Sequence, residues 1–165
     1  DARLENNYKR ARGAGIMVGA YHYLNAGDNE TALKEAESFL KNIKGKKFEY
    51  PVCLDIEASV HKKLSDKAFN EIIDVFCSRL KQEGYCVAVY SSASQLRRTS
   101  GEIRNSYHLW NAQWNTLSMT SALQDIKIWQ FTSDGKVPGS STRIDMDISF
   151  FDYPSYMKEN HLNGY

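Results

Sequence analysis

No apolar run in these 165 residues approaches the 18 or more that a membrane-spanning helix needs, so no such helix is expected. Charge of one sign is also lacking. The 21 Lys and Arg balance 20 Asp and Glu to a net +1, which leaves no strong field to attract nucleic acid or an anionic membrane. Neither is expected as a partner. The largest basic run, Lys44-Gly45-Lys46-Lys47, falls where a helix should end and complements its dipole there. Three cysteines, Cys53, Cys77 and Cys86, form no CxxC pair and no metal-ligand spacing; buried free thiols are expected, with a Cys77 to Cys86 disulfide left open. His22, His61, His108 and His161 offer no HxxxH or HxxE pattern, so no metal is expected. There is no GxGxxG or Walker loop, and no GxSxG around Ser91 and Ser92. Nucleotide cofactors and a serine-hydrolase triad are therefore not expected. The start, Asp1-Ala2-Arg3-Leu4, does not read as a signal peptide.

What is present is an ordinary globular composition, 42% hydrophobic and 25% charged, without repeat, low-complexity tract or linker. Residues 1–165 are expected to form a single domain. A helix over 2–12 stops at Gly13-Ala14-Gly15, and residues 16–23 read as a strand. A second helix is capped by Asp28 or Asn29, carries Ala32, Leu33, Ala36, Phe39, Leu40 and Ile43 on one face, and ends before Gly45. Ser65 caps a third, with Ala68, Phe69, Ile72, Ile73, Phe76 and Leu80 aligned, closed by Gly84. Strands are expected at 52–57, 86–90, 108–114, 126–131 and 144–148. The alternation of strand and helix in the first half implies parallel strands.

The most informative stretch is Val52-Cys53-Leu54-Asp55-Ile56-Glu57, an apolar run that ends in two acids. Residues two apart on a strand share a face, with Cα atoms roughly 6 to 7 Å apart. Two carboxylates that close cannot both ionise freely, so one pKa should rise into the range useful to a general acid. Parallel sheets present functional groups at the carboxyl ends of their strands. Tyr21, His22, Asp55, Glu57, Tyr90, Gln113, Trp129, Gln130 and Asp145 fall at or near such ends. Aromatic rings stack on sugars and carboxylates bond hydroxyls, so this inventory suits a carbohydrate cleft.

Four segments resemble the glycoside hydrolase family 25 lysozymes, the Chalaropsis-type N-acetylmuramidases. They are Val18-Gly19-Ala20-Tyr21-His22-Tyr23; Leu54-Asp55-Ile56-Glu57; Leu109-Trp110-Asn111-Ala112-Gln113-Trp114; and Trp129-Gln130-Phe131 followed by Gly135, Gly139 and Ile144-Asp145. The resemblance implies an α/β fold, a modified TIM-like (β/α) barrel, and a peptidoglycan hydrolase that cleaves the β-1,4 bond between N-acetylmuramic acid and N-acetylglucosamine. By motif, Glu57 resembles the general acid, Asp55 the carboxylate that assists it, and Asp145 the acid of the last barrel strand. Tyr21, Tyr90, Trp110 and Trp129 resemble cleft residues, and His22, Gln113 and Gln130 are carried with them as substrate-binding candidates. The implied partner is bacterial peptidoglycan, which places the protein outside the cell or in the cell wall.

Two positions depart from the family pattern. Asp145-Met146-Asp147 stands where Asp-x-Asn is usual, and Trp114 where Tyr often follows Ala-Gln. A further departure concerns the amino-terminal part. Family members begin with a strand bearing Asp-x-Ser, a helix and a second strand before the segment that resembles Asp1-x-x-Leu4-x-x-Asn7. Six strands are counted here where a full barrel has eight, so an N-terminally truncated barrel is expected. Either self-association through its open edges or pairing with a missing N-terminal piece follows as an expectation. The alternative to an active enzyme is a truncated, weakly active or inactive peptidoglycan-binding remnant.

Overall fold

The computed structural model describes residues 3–114 and 125–165; Asp1 and Ala2, which open the expected first helix and the expected family-like segment, lie outside them. Six strands form one sheet in chain order: β1 (Ala20–Tyr23), β2 (Val52–Asp55), β3 (Val87–Ser92), β4 (His108–Ala112), β5 (Ile126–Gly135) and β6 (Ile144–Ser149). β1 to β5 are parallel, and β6 runs antiparallel to β5. The helices are α1 (Leu4–Gly13), α2 (Asn29–Ile43), α3 (Asp66–Gln82), α4 (Ala93–Leu96), α5 (Gly101–Ser106) and α6 (Tyr153–Glu159). This is an α/β fold of the TIM-like (β/α) barrel kind; among the described residues it has six strands, and β1 and β6 do not pair.

The two long helices form where their caps and apolar stripes dictate. Asp28 accepts the Thr31 N–H and Ser65 accepts the Ala68 N–H, each satisfying an amide that the first helical turn leaves unpaired. Phe39 and Ile43 of α2 and Phe69, Ile73, Phe76 and Leu80 of α3 then pack on Val52, Leu54, Val87 and Val89. Because strand side chains alternate, the partners of those residues on β2, Cys53 and Asp55, are turned to the opposite, concave face. All four residues of β2 are buried, as expected for a parallel strand covered on both sides.

Several expectations are corrected. The strand expected over 16–23 keeps only its last four residues, because the Val18 N–H is donated to Glu49 Oε2 at 3.0 Å. At Gly19 the backbone lies so close to Pro51 that a Cβ would stand 2.9 Å from its carbonyl oxygen. Helices α5 and α6 were not expected. α5 buries only Ile103, and α6 only Tyr153 and Met157, so neither carries a repeating apolar stripe. The cysteines are all free and buried. Burial pushes the thiols of Cys53 and Cys77 up and that of Cys86 to about 12, which leaves them unreactive.

Beneath the sheet, Tyr153 and Met157 of α6 pack with Cys86 and Ile128. His108 Nδ1 lies 2.9 Å from the Tyr153 hydroxyl. The tail then returns to the sheet through Asn163, which is fully buried at φ 54°. Its Oδ1 accepts the Cys86 N–H and its Nδ2 donates to Tyr50 O, both at 2.8 Å, while its backbone bonds Phe48 N–H and Gly84 O at 3.1 Å. Nearby, Glu49 accepts hydrogen bonds from Arg12, the Val18 N–H and the Tyr165 hydroxyl. Burial alone would raise the Glu49 carboxyl; these three donors outweigh it and hold the group at about 2.

Replacing Asn163 by Ala leaves the Cys86 N–H and the Tyr50 carbonyl without partners in a buried place. The expected cost is about 2–3 kcal/mol, read as a lower urea midpoint at unchanged slope; a midpoint equal to the parent's would show that the tail does not secure the sheet.

Candidate active site

Sheet register assembles the concave face. Tyr23 stands beside Asp55, Asp55 beside Tyr90, and Tyr90 beside Trp110. One layer higher, Ala112 stands beside Gln130, and Gln130 beside Asp147. The result is a cleft of about 340 Å³ lined by Tyr21, Tyr23, Asp55, Glu57, Tyr90, Trp110, Gln130, Asp145 and Asp147.

Its floor is fixed by hydrogen bonds. The Tyr90 hydroxyl and the Trp114 Nε1–H both donate to Gln130 Oε1 at 3.0 Å. The Trp110 Nε1–H donates to Asp147 Oδ1 at 2.8 Å. The rings of Tyr90 and Trp110 meet edge to face at 5.0 Å. Burial, then the charges of Glu57 and Asp55, push the Tyr90 phenol up, so it remains a neutral donor.

Asp55 is the group most out of its element. It is 7% exposed, and its Oδ1 has no hydrogen-bond partner among the described residues. Burial, followed by the nearby charge of Glu57, pushes its carboxyl up to about 7. Glu57 follows the end of β2 and is exposed. Across the cleft the Asp147 carboxyl is also raised, by burial first; the Trp110 bond opposes this and the charge of Asp145 adds to it. Among the described residues no three His, Cys, Asp or Glu side chains are grouped so as to hold a metal ion. The carboxyls surround the cleft rather than converge on a point. Chemically, such a cleft can stack a sugar on Trp110 and Tyr90, donate a proton from a carboxyl, and stabilise developing positive charge.

Of the residues singled out in the sequence, the cleft brings together Tyr21, Asp55, Glu57, Tyr90, Trp110, Gln130 and Asp145. It does not bring His22, Gln113 or Trp129. His22 is turned to the helices, with Nε2 2.6 Å from Glu35 Oε2 and its ring stacked on Phe76 at 5.3 Å. Trp129 stands one residue from Gln130 and so on the other face; its Nε1–H donates to the backbone oxygen of Gln113 at 2.8 Å. Gln113 sits just past β4, 3.4 Å from the Asn111 side chain. The structure adds Tyr23 and Asp147, each two residues beyond a singled-out position and thus legible by strand alternation. It also adds Trp114, whose reach depends on the backbone path after β4.

The family model described as glycosyl hydrolases family 25 matches residues 1–140. The autolytic lysozyme of Clostridium acetobutylicum is 26% identical over 147 residues, 89% of this chain and 44% of that protein. The CTP1L endolysin superposes with a TM-score of 0.80 at 25% identity, over 96% of this chain and 56% of that one. The lysozyme of Streptomyces coelicolor does so at 0.76 and 25% identity, over 92% and 76%. The chain spans about half the length of the curated relatives it matches.

The raised carboxyl of Asp55 has a cost in stability. The group ionises at 3.8 in an ordinary setting and at about 7 in the fold. The unfolded chain thus binds fewer protons across that interval, and stability falls as pH rises from the lower value to the upper. Asp55→Asn should therefore stabilise the protein by about 2 kcal/mol at pH near 8, roughly half the full linkage because water reaches the cleft, and by about nothing near pH 3. Urea titrations at the two pH values check this, and an equal effect at both would reject it.

Proposed function

This chain belongs to the glycosyl hydrolases of family 25, and from that premise we propose that it is a peptidoglycan hydrolase, a muramidase cutting the β-1,4 bond between N-acetylmuramic acid and N-acetylglucosamine. The observation that carries the reading is Asp55, buried, with its Oδ1 unpartnered among the described residues and its pKa raised, directly below Glu57 in an aromatic-lined cleft. Glycoside cleavage needs a proton on the leaving oxygen and relief of positive charge at the anomeric carbon.

Glu57 lies beyond the end of β2, exposed and lining the cleft, which supports its reading as the acid that protonates the leaving oxygen. Asp55 lies deeper and assists. Its unpartnered Oδ1 is an acceptor suited to the N–H of the sugar's 2-acetamido group, which orients that group towards the anomeric carbon. Proton transfer leaves Glu57 as a carboxylate, whose repulsion alone would keep Asp55 protonated; the positive charge developing on the sugar offsets it, so that Asp55 can release its proton to water and face that charge. Asp145, on the far margin, adds to the same negative field. Trp110 and Tyr90 supply the surface on which the ring stacks, held by Asp147 and Gln130. Peptidoglycan lies outside the membrane, so the site of action is extracellular or in the cell wall.

Glu57→Gln keeps the shape of the side chain and removes its proton. Release of new reducing ends at muramic acid from purified peptidoglycan should fall by about 100-fold or more, with sedimentation of the protein on the same walls unchanged. Unaltered turnover would remove Glu57 from the role of acid.

A further inference from the structure

The register of β2 on β3 ends where Asp55 stands beside Tyr90. Glu57 lies beyond that point and takes its direction from the peptide units that lead to it. Hydrogen bonds from both neighbouring strands hold those units. The Leu24 N–H donates to Asp55 O at 2.9 Å and the Ile56 N–H to Tyr90 O at 3.0 Å. A side chain then takes over from the backbone: the Ser91 hydroxyl donates to Ile56 O at 2.7 Å. The carbonyl of Ile56 and the nitrogen of Glu57 belong to one planar peptide unit. A bond that fixes the first therefore fixes where the Cα of Glu57 stands.

Ser91 itself is out of the cleft. Strand alternation turns Tyr90 to the concave face and Ser91 to the opposite one, where Val87 and Val89 meet the helices. There it is fully buried, as is Ile56. An apolar side chain of similar size would fill that place equally well, whereas a buried hydroxyl costs stability unless it finds an acceptor. The acceptor it finds adjoins Glu57. Ser91 also has a rigid base, since β3 is paired with β2 on one side and β4 on the other.

We infer that Ser91 is a positioning residue: from behind the sheet it sets the backbone from which Glu57 reaches the leaving oxygen. The inference rests on the peptidoglycan-hydrolase reading with Glu57 as its acid, and adds a residue that touches neither the substrate nor the carboxyl. Proton transfer requires donor and acceptor within hydrogen-bond reach, and a misplacement of about 1 Å can cost on the order of 100-fold in rate. Without the Ser91 bond the peptide between Ile56 and Glu57 is free to turn, while Asp55 stays held by the ladder. Acid assistance is lost and glycan binding is kept. The loss matters most for a sugar leaving group, which departs poorly unless protonated, and least for an aryl oxide, which departs as the anion.

The test sets the full chain beside Ser91→Ala and Ser91→Thr on two substrates: purified peptidoglycan, and the methylumbelliferyl β-glycoside of N-acetylglucosaminyl-N-acetylmuramic acid. Rates are expressed per folded molecule, using urea midpoints measured in the same buffer. Ser91→Ala should lower kcat on peptidoglycan about tenfold or more with KM within about twofold, and slow the aryl glycoside by less than about threefold. Ser91→Thr keeps the hydroxyl and should recover the peptidoglycan rate to within about threefold of the parent. If the added methyl of Thr unfolds the chain, the contrast between the two substrates in Ser91→Ala decides alone. Equal losses on both substrates would mean a general loosening of the cleft, and a peptidoglycan rate equal to the parent's would mean a core hydrogen bond and nothing more; either overturns the inference and leaves the muramidase reading intact. A parent that releases no reducing ends at muramic acid removes that reading, and the role of Ser91 with it.

Discussion

A carboxyl group buried on the concave side of a parallel sheet, with one oxygen lacking a partner among the described residues, organises this molecule. β2 lies between β1 and β3 with helices over one face, so the parity that sends Val52 and Leu54 into the apolar layer sends Asp55 inward. Once there, it sits next to Tyr90 and Tyr23 in register and one step below Glu57, in a cleft that no cationic side chain lines among the described residues. Proton retention, the protonated Tyr90 and the negative character of the whole cleft all follow from that single placement. The apolar packing of α2 and α3 on the outer face is what keeps it enforced.

Two carboxyls with opposite displacements frame the acid stability of the fold. Asp55 is raised, so its penalty is absent below 3.8 and complete above about 7. Glu49 is lowered to about 2 by Tyr165, Val18 and Arg12, so its contribution is present above its ordinary 4.5 and is lost as pH falls towards 2. One group belongs to the cleft end of the strands and the other to the opposite end. The protein thus concentrates its electrostatic satisfaction away from the cleft and its frustration inside it, a division common in enzymes whose sites trade stability for chemistry.

Much of this was legible in the residues. Asp28 and Ser65 announced the two long helices, and the run Val52 to Glu57 announced both a buried strand and an acid pair, because capping and apolar periodicity are local properties. Which of two neighbours faces the cleft is not local. Tyr21 and His22, or Trp129 and Gln130, are equally plausible by chemistry, and only the packing of His22 on Phe76 and Phe39 decides the first case. The reversal of β6 was readable in principle, since residues 136–143 are too few for the crossover that parallel strands require. α6 was hidden because two buried residues, Tyr153 and Met157, make no period.

Asn163 also orders events in time. The amides and carbonyls it satisfies belong to Cys86 and Tyr50, 77 and 113 residues earlier in the chain. During synthesis from the amino end, β2 and β3 emerge and can pair long before the side chain that seals their lower ends exists. A nascent chain therefore carries a recognisable acid pair on an unsecured sheet, and maturation of the cleft is a late, long-range event rather than a property of the strands that bear it.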